Sequence, residues 1–181
     1  MKKIIPIALV LVAFHALAAM PSPITVKAAK KTADSHHNTA AHGPRTVTFT
    51  AKDVYYEFEL TTSSPAVPAS VVAKWVVLTI GMGGHVHVGT KGEKEIALPK
   101  NKPVTVETDD FSLETKNVHG ARGHFVNQSE AKVLGYAVRV FDTGGTLLSE
   151  EYSPDNEKKS LADAFDGKLK DVDEDMNPKR K

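Results

Sequence analysis

The chain contains no cysteine, which excludes disulfides, thiolate metal ligands, a cysteine nucleophile and a lipid anchor on cysteine. Aromatic residues are scarce, 7% of 181 positions with one Trp, Trp75. No charge of one sign dominates, because 23 Lys and Arg stand against 22 Asp and Glu. A nucleic-acid binder shows a basic excess or a basic stripe with interleaved aromatics, so nucleic acid is not an expected partner. Long apolar runs are missing except for Ile4 to Leu17, which carries Pro6 and His15 and is short for a bilayer core of about 30 Å.

What is present begins with that run. Lys2 and Lys3 precede it and Ala16-Leu17-Ala18 follows it, the layout of a secretory signal over residues 1–18; a retained membrane helix is the alternative. Removing the signal leaves 21 basic against 22 acidic residues. Export without disulfides points to a periplasmic or extracellular protein held together by its core, with no membrane span after signal cleavage.

Residues 19–44 are rich in Ala, Lys, Pro, Thr and His and carry little to bury, so they read as a flexible linker. His36, His37 and His42 lie within it. From Arg45 the pattern has period two. Val47 and Phe49 share one face in TVTFT, and Val54, Tyr56, Phe58 and Leu60 share one in VYYEFEL. TTSSPAVPAS is a loop, and SVVAKWVVLTI, apolar on both faces, belongs in the middle of the fold. Short strands are expected in HVHVGT, KEIALP, PVTVET, DFSLET and GHFVNQ. The clearest hairpin joins KVLGYAVRVF to TLLSEEYS through Asp142-Thr143-Gly144-Gly145. Eight to ten strands at this spacing predict an all-β sandwich of immunoglobulin-like type over residues 45–154. The expected core sets are Val47/Phe49, Tyr56/Phe58/Leu60, Val76/Leu78/Ile80 and Tyr136/Val138/Val140. Leu161, Phe165 and Leu169 recur at four-residue intervals, which predicts one amphipathic helix over 155–170. Residues 171–181 mix charge blocks and read as a disordered tail.

The stretch GMGGHVHVGTKG holds the sharpest chemical motif. His85 and His87, two residues apart on a strand, project to one face, as two ligands of one metal must. His119 and His124 are the further candidate ligands, with Glu93 or the pair Asp109 and Asp110 beside them, a donor set suited to zinc or copper. GGHVHVG resembles the copper-ligand strand of copper/zinc superoxide dismutases, but no histidine follows His124 and the disulfide is impossible. The cupin pattern is a nearer fit, with Glu93 after the His pair and His124 as the late histidine, yet its framing Gly and Pro are misplaced. The opposite expectation follows from alternation: with Val86 and Val88 facing the core, both imidazoles face water. No G-x-S-x-G elbow or phosphate-loop motif occurs, and adjacent Asp109 and Asp110 suit a turn better than an acid–base pair. The chain is therefore not expected to be an enzyme or to need a cofactor.

From KWVVLTI to LGYAVRVFDTGGTLLSEEYSP the order of elements resembles exported single-domain immunoglobulin-like sandwich proteins, some of them associated with bacterial type IV pilus-like machinery. The likeness covers residues 46–154. It implies a pilus or surface accessory role without chemistry, with an envelope or surface protein or polymer as partner. An exposed strand edge would offer the means of pairing. The alternative is a periplasmic zinc- or copper-binding β protein using His85, His87, His119 and His124.

Overall fold

The computed structural model describes residues 22–42, 45–120 and 124–169; the expected signal (1–18) and the expected tail (171–181) lie outside them. Among these residues nine strands run in chain order: β1 (Ile24–His42), β2 (Arg45–Thr62), β3 (Ser70–Ile80), β4 (Val86–Ala97), β5 (Val104–Glu107), β6 (Phe111–His119), β7 (Phe125–Glu130), β8 (Lys132–Asp142) and β9 (Leu147–Ser153). A 3-10 turn (Asp155–Glu157) leads into α1 (Lys158–Phe165). The strands form two antiparallel sheets, a long one ordered β1-β2-β6-β7 with β5 also on β2, and a short one ordered β4-β3-β8-β9. This is the expected all-β sandwich.

Its beginning corrects the sequence reading. The expected linker is a strand of 19 residues, paired with β2 from Ile24↔Thr62 to His42↔Arg45 with one bulge between Thr32 and Asp34. Few of its side chains are buried, so its extended state comes from the backbone ladder it forms with β2. Its first residue is nevertheless core: Ile24 is 1% exposed. Hydroxyls fasten this end, since Ser149 Oγ on β9 donates to the Ile24 carbonyl at 3.1 Å and Thr62 Oγ1 to that of Pro23 at 2.8 Å.

Between the sheets lie Val54, Phe58, Leu60 and Val106 from the long sheet and Val71, Trp75, Val77, Val138 and Val140 from the short one. Tyr56, Phe58 and Tyr136 pack with ring centroids 5.4–5.7 Å apart. Burial, and then the neighbouring Tyr136, pushes the Tyr56 phenol above its ordinary value. Gly92 lies opposite Trp75, and a Cβ there would stand 2.5 Å from Trp75 Cζ2; only glycine lets the indole lie across the neighbouring strand. Val76 and Leu78, expected in the main core, instead form a second cluster on the outer face of the short sheet with Ala137, Tyr152, Leu161 and Ala164. α1 covers this cluster. Lys91 of β4 holds the helix end by donating to the carbonyls of Ala164 (3.2 Å) and Phe165 (2.9 Å), a cation where the helix dipole favours one.

Between β5 and β6 the edge beside β2 breaks and resumes. Thr108 bridges the gap, its N–H donating to the Tyr56 carbonyl (2.9 Å) and its Oγ1 accepting from the Tyr56 N–H (3.0 Å). Asp109 and Asp110 are exposed at this break.

Candidate functional site

Two regions bring polar chemistry together. The first is the turn before β4. Gly84 has φ +80°, a conformation glycine adopts without penalty, and the Gly81 N–H donates to the His85 carbonyl at 2.8 Å. A Cβ on Gly81 would stand 3.1 Å from His87 Nε2, and one on Gly83 3.1 Å from His85 Cδ2. The two glycines thus lie under the two imidazoles, and the His pair explains the glycine pattern.

Val86 and Val88 do pack inward, but against the cluster under α1. Thr79 pairs with His87, and both line a cleft of about 260 Å³ whose other walls include Met82, His85 and the long-sheet residues Ser112 and Glu114. His85 is exposed as expected. His87 is half-buried and turns toward the gap between the sheets, not to open water, with its Nδ1 buried and unpartnered. The reason is that this part of the short sheet is covered on both faces, so alternation alone does not say which face is wet.

The other two histidines lie elsewhere. His119, on β6, packs edge-on against Phe125 with centroids 5.9 Å apart; His124 is exposed, its carbonyl accepting from the Gly120 N–H at 2.7 Å. Glu93 is engaged by Lys74 at 2.6 Å on the far part of β4. Among the described residues no three His, Asp or Glu side chains are placed to hold a metal ion.

The second region is the half of the long sheet formed by residues 34–42 of β1, 45–53 of β2, the end of β6, and β7, here termed the wing. No described side chain in 34–41, 45–53, 114–119 or 124–130 is buried. Cross-strand partners share a face, and the registers give two contrasting faces. The face continuous with the main core carries the rows Thr39–Thr48–Asn117–Gln128, His37–Thr50–Thr115–Glu130 and Ala41–Thr46–His119–Phe125. The opposite face carries Ala40–Val47–Val118–Asn127 and Asn38–Phe49–Lys116–Ser129, with Lys116 Nζ 5.7 Å over the Phe49 ring. Val47 and Phe49 are therefore not core. Phe49 is 40% exposed, and Phe125 and Val126 are 58% and 54% exposed.

On that opposite face Ser112 Oγ donates to Asp53, and His36 Nε2 lies 3.5 Å from Asp53 and 3.4 Å from Asp34. The carboxylate stands between hydroxyl and imidazole. A nucleophilic triad needs the imidazole in the middle, so this chain does not activate the serine. Sequence reading missed the wing because it took β1 for a linker. The available signal was parity: counting back from Val54 in steps of two reaches Thr50, Thr48 and Thr46.

No family model matches the chain, and no curated protein matches it. Among solved structures it is similar to a crystal structure from Akkermansia muciniphila, at 11% identity over 72% of this chain and 71% of that one, with a TM-score of 0.29. It is also similar to an X-ray structure of a Northeast Structural Genomics Consortium target, at 10% identity over 74% of this chain and 96% of that one, with a TM-score of 0.32. Likenesses this distant carry no argument about function, and the fold rests on the strand pairings.

Proposed function

We propose that this protein is an exported, noncatalytic β-sandwich module that binds a protein or polymer partner at the cell envelope, as a pilus or surface accessory, through the wing. The observation that carries the reading is the wing itself, a sheet open on both faces that exposes Phe49, Phe125 and Val126. Phe125 and Val126 adjoin at the start of β7, and adjacent exposed apolar groups mark interaction sites; Phe49 lies on the other face of the wing. The N-terminal signal pattern supports export; among the described residues no helix is long and apolar enough to cross a membrane.

The test combines two measurements. Mass spectrometry of the exported protein should find a chain beginning at Ala19. Hydrogen exchange in the presence of envelope fragments should slow in β6, β7 and residues 34–53 while the sandwiched half stays unchanged. Retention of residues 1–18, or protection confined to other surfaces, overturns the proposal.

A second reading, zinc or copper held by the HVH strand, draws on the buried unpartnered Nδ1 of His87 beside His85. A site occupied at a hundredfold excess over its dissociation constant adds about 2.7 kcal/mol of stability. A metal-dependent rise in melting temperature that His87→Ala abolishes, with His36, His37 and His42 replaced by Ala in both proteins, supports it; no rise sinks it.

A further inference from the structure

We infer that the core-side face of the wing is a platform for an extended neutral polysaccharide. This rests on the binding-module reading and names its partner. Across four strands about 4.8 Å apart, rows repeat every 6.6–6.8 Å or so along each strand, forming a broad surface lined by side chains that hydrogen-bond. Thr48, Asn117 and Gln128 lie side by side in one row and Thr50 and Thr115 in the next. Hydroxyls and carboxamides each donate and accept, the capacity that sugar hydroxyls present in return. Threonine is restricted at χ1, so holding these hydroxyls in place costs little entropy on binding.

Charge and aromatic placement narrow the partner class. Within the three rows the one carboxylate is Glu130, at a strand end, and Lys52 lies in the next row toward the sandwich. An acidic polymer would call for a basic stripe, which the face lacks. A protein interface centres on a desolvated apolar core, whereas here the centre is Thr and Asn. At the end of the outermost row Phe125, 58% exposed and edge-packed by His119, offers an apolar ring surface against which the C–H face of a sugar can lie. The opposite face also carries an exposed ring, Phe49, but Lys116 lies over it, and Asp34, His36 and Asp53 make that face charged where the core-side rows are neutral.

The experiment is retention of the exported full chain on amorphous cellulose, chitin and immobilised galactomannan, with alginate as the acidic counterpart. At least one neutral glycan should retain the protein and alginate should not. The pair Thr48→Val and Thr50→Val keeps shape and β-branching while removing two hydroxyls. Hydrogen bonds of ordinary net strength make the expected loss about tenfold in affinity, with an unchanged unfolding midpoint as proof of folding. Phe125→Ala should weaken binding as well, and Phe49→Ala, on the other face, should not. Asn117→Ala serves where the threonine pair fails to fold. Retention on no neutral glycan, preference for alginate, or indifference to the wing substitutions overturns the inference. If envelope fragments still protect the wing in hydrogen exchange, the partner is a protein or an acidic polymer and the binding-module reading stands; if they do not, both fall.

Discussion

Phe58 and Phe49 lie on the same strand and belong to the same sheet, yet one is fully buried and the other is 40% exposed. Their side chains take opposite faces of β2, Phe58 toward the short sheet and Phe49 away from it, and the two halves of the strand also differ in what covers them. From Val54 to Leu60, β2 faces the short sheet across a packed core; from Asp53 back to Arg45 no described side chain is buried. The ladder to β1 continues through both halves without a break on the β2 side. Backbone pairing therefore extends the sheet, but a second layer is what turns its inner side chains into a core. Where that layer ends, Val, Tyr, Phe and Leu give way to Thr and Lys on the same face.

The sharpest way to break this contrast is a pair of truncations. Phe58→Ala should cost about 3–5 kcal/mol in equilibrium urea unfolding, and Phe49→Ala should stay within about 0.5 kcal/mol. Equal losses would mean that the wing has a hidden layer. The same comparison runs along β1: Ile24→Ala should cost about 2–5 kcal/mol, whereas Thr39→Ala, in the wing, should be near neutral. A neutral Ile24→Ala would return the start of the chain to the linker first read there.

Gly92→Ala tests the sandwiched half from the other direction, because the added Cβ must displace Trp75. About 1–3 kcal/mol is expected from overpacking, with a change in Trp fluorescence that Gly145→Ala, at a turn, does not produce. Within the native protein, hydrogen exchange should then divide β2. Amides of 45–53 should open at lower free energy than those of 54–60, since few buried apolar contacts hold them; uniform protection would erase the distinction.

The smallest effect lies outside both halves, at the β8–β9 turn. The Thr146 N–H donates to Asp142 Oδ1 at 2.7 Å, and this bond, helped by the N–H groups of Gly144 and Gly145, holds the Asp142 carboxyl below its usual range. A carboxyl lowered on folding contributes stability above its unfolded pKa, about 3.9, and loses it as pH falls through the lower folded value. Asp142→Asn should flatten that acid-side slope slightly and leave neutral-pH contrasts between the halves intact.

Much of the sandwich was legible because periodicity and turn chemistry are local. The alternation from Val54 to Leu60, the doubly apolar strand around Trp75, and the glycine-ended turn after Asp142 all fold as read. A helix forms there too, shorter than the expected 155–170: α1 ends at Phe165, with Leu161 buried in it and Leu169 packing from beyond its end. β1 was not legible: Lys27, Lys30, Lys31 and the Ala, Thr and His that follow have the composition of an unpaired chain, and only the ladder along β2 makes them a strand. TVTFT taken alone puts Val47 and Phe49 inward, and only the phase carried back along β2 from Val54 sets them on the other face.

The histidine pair shows where that division falls. The sequence by itself determined that His85 and His87 share a face, that Val86 and Val88 take the other, and that a glycine turn precedes them, because side-chain alternation and backbone freedom belong to the chain. Which face meets the opposing sheet and which meets the helix was decided only in three dimensions. Both faces of the short sheet are covered, one by the long sheet and one by α1. A strand's pattern fixes the contrast between its two sides, while burial depends on what the rest of the molecule brings against each.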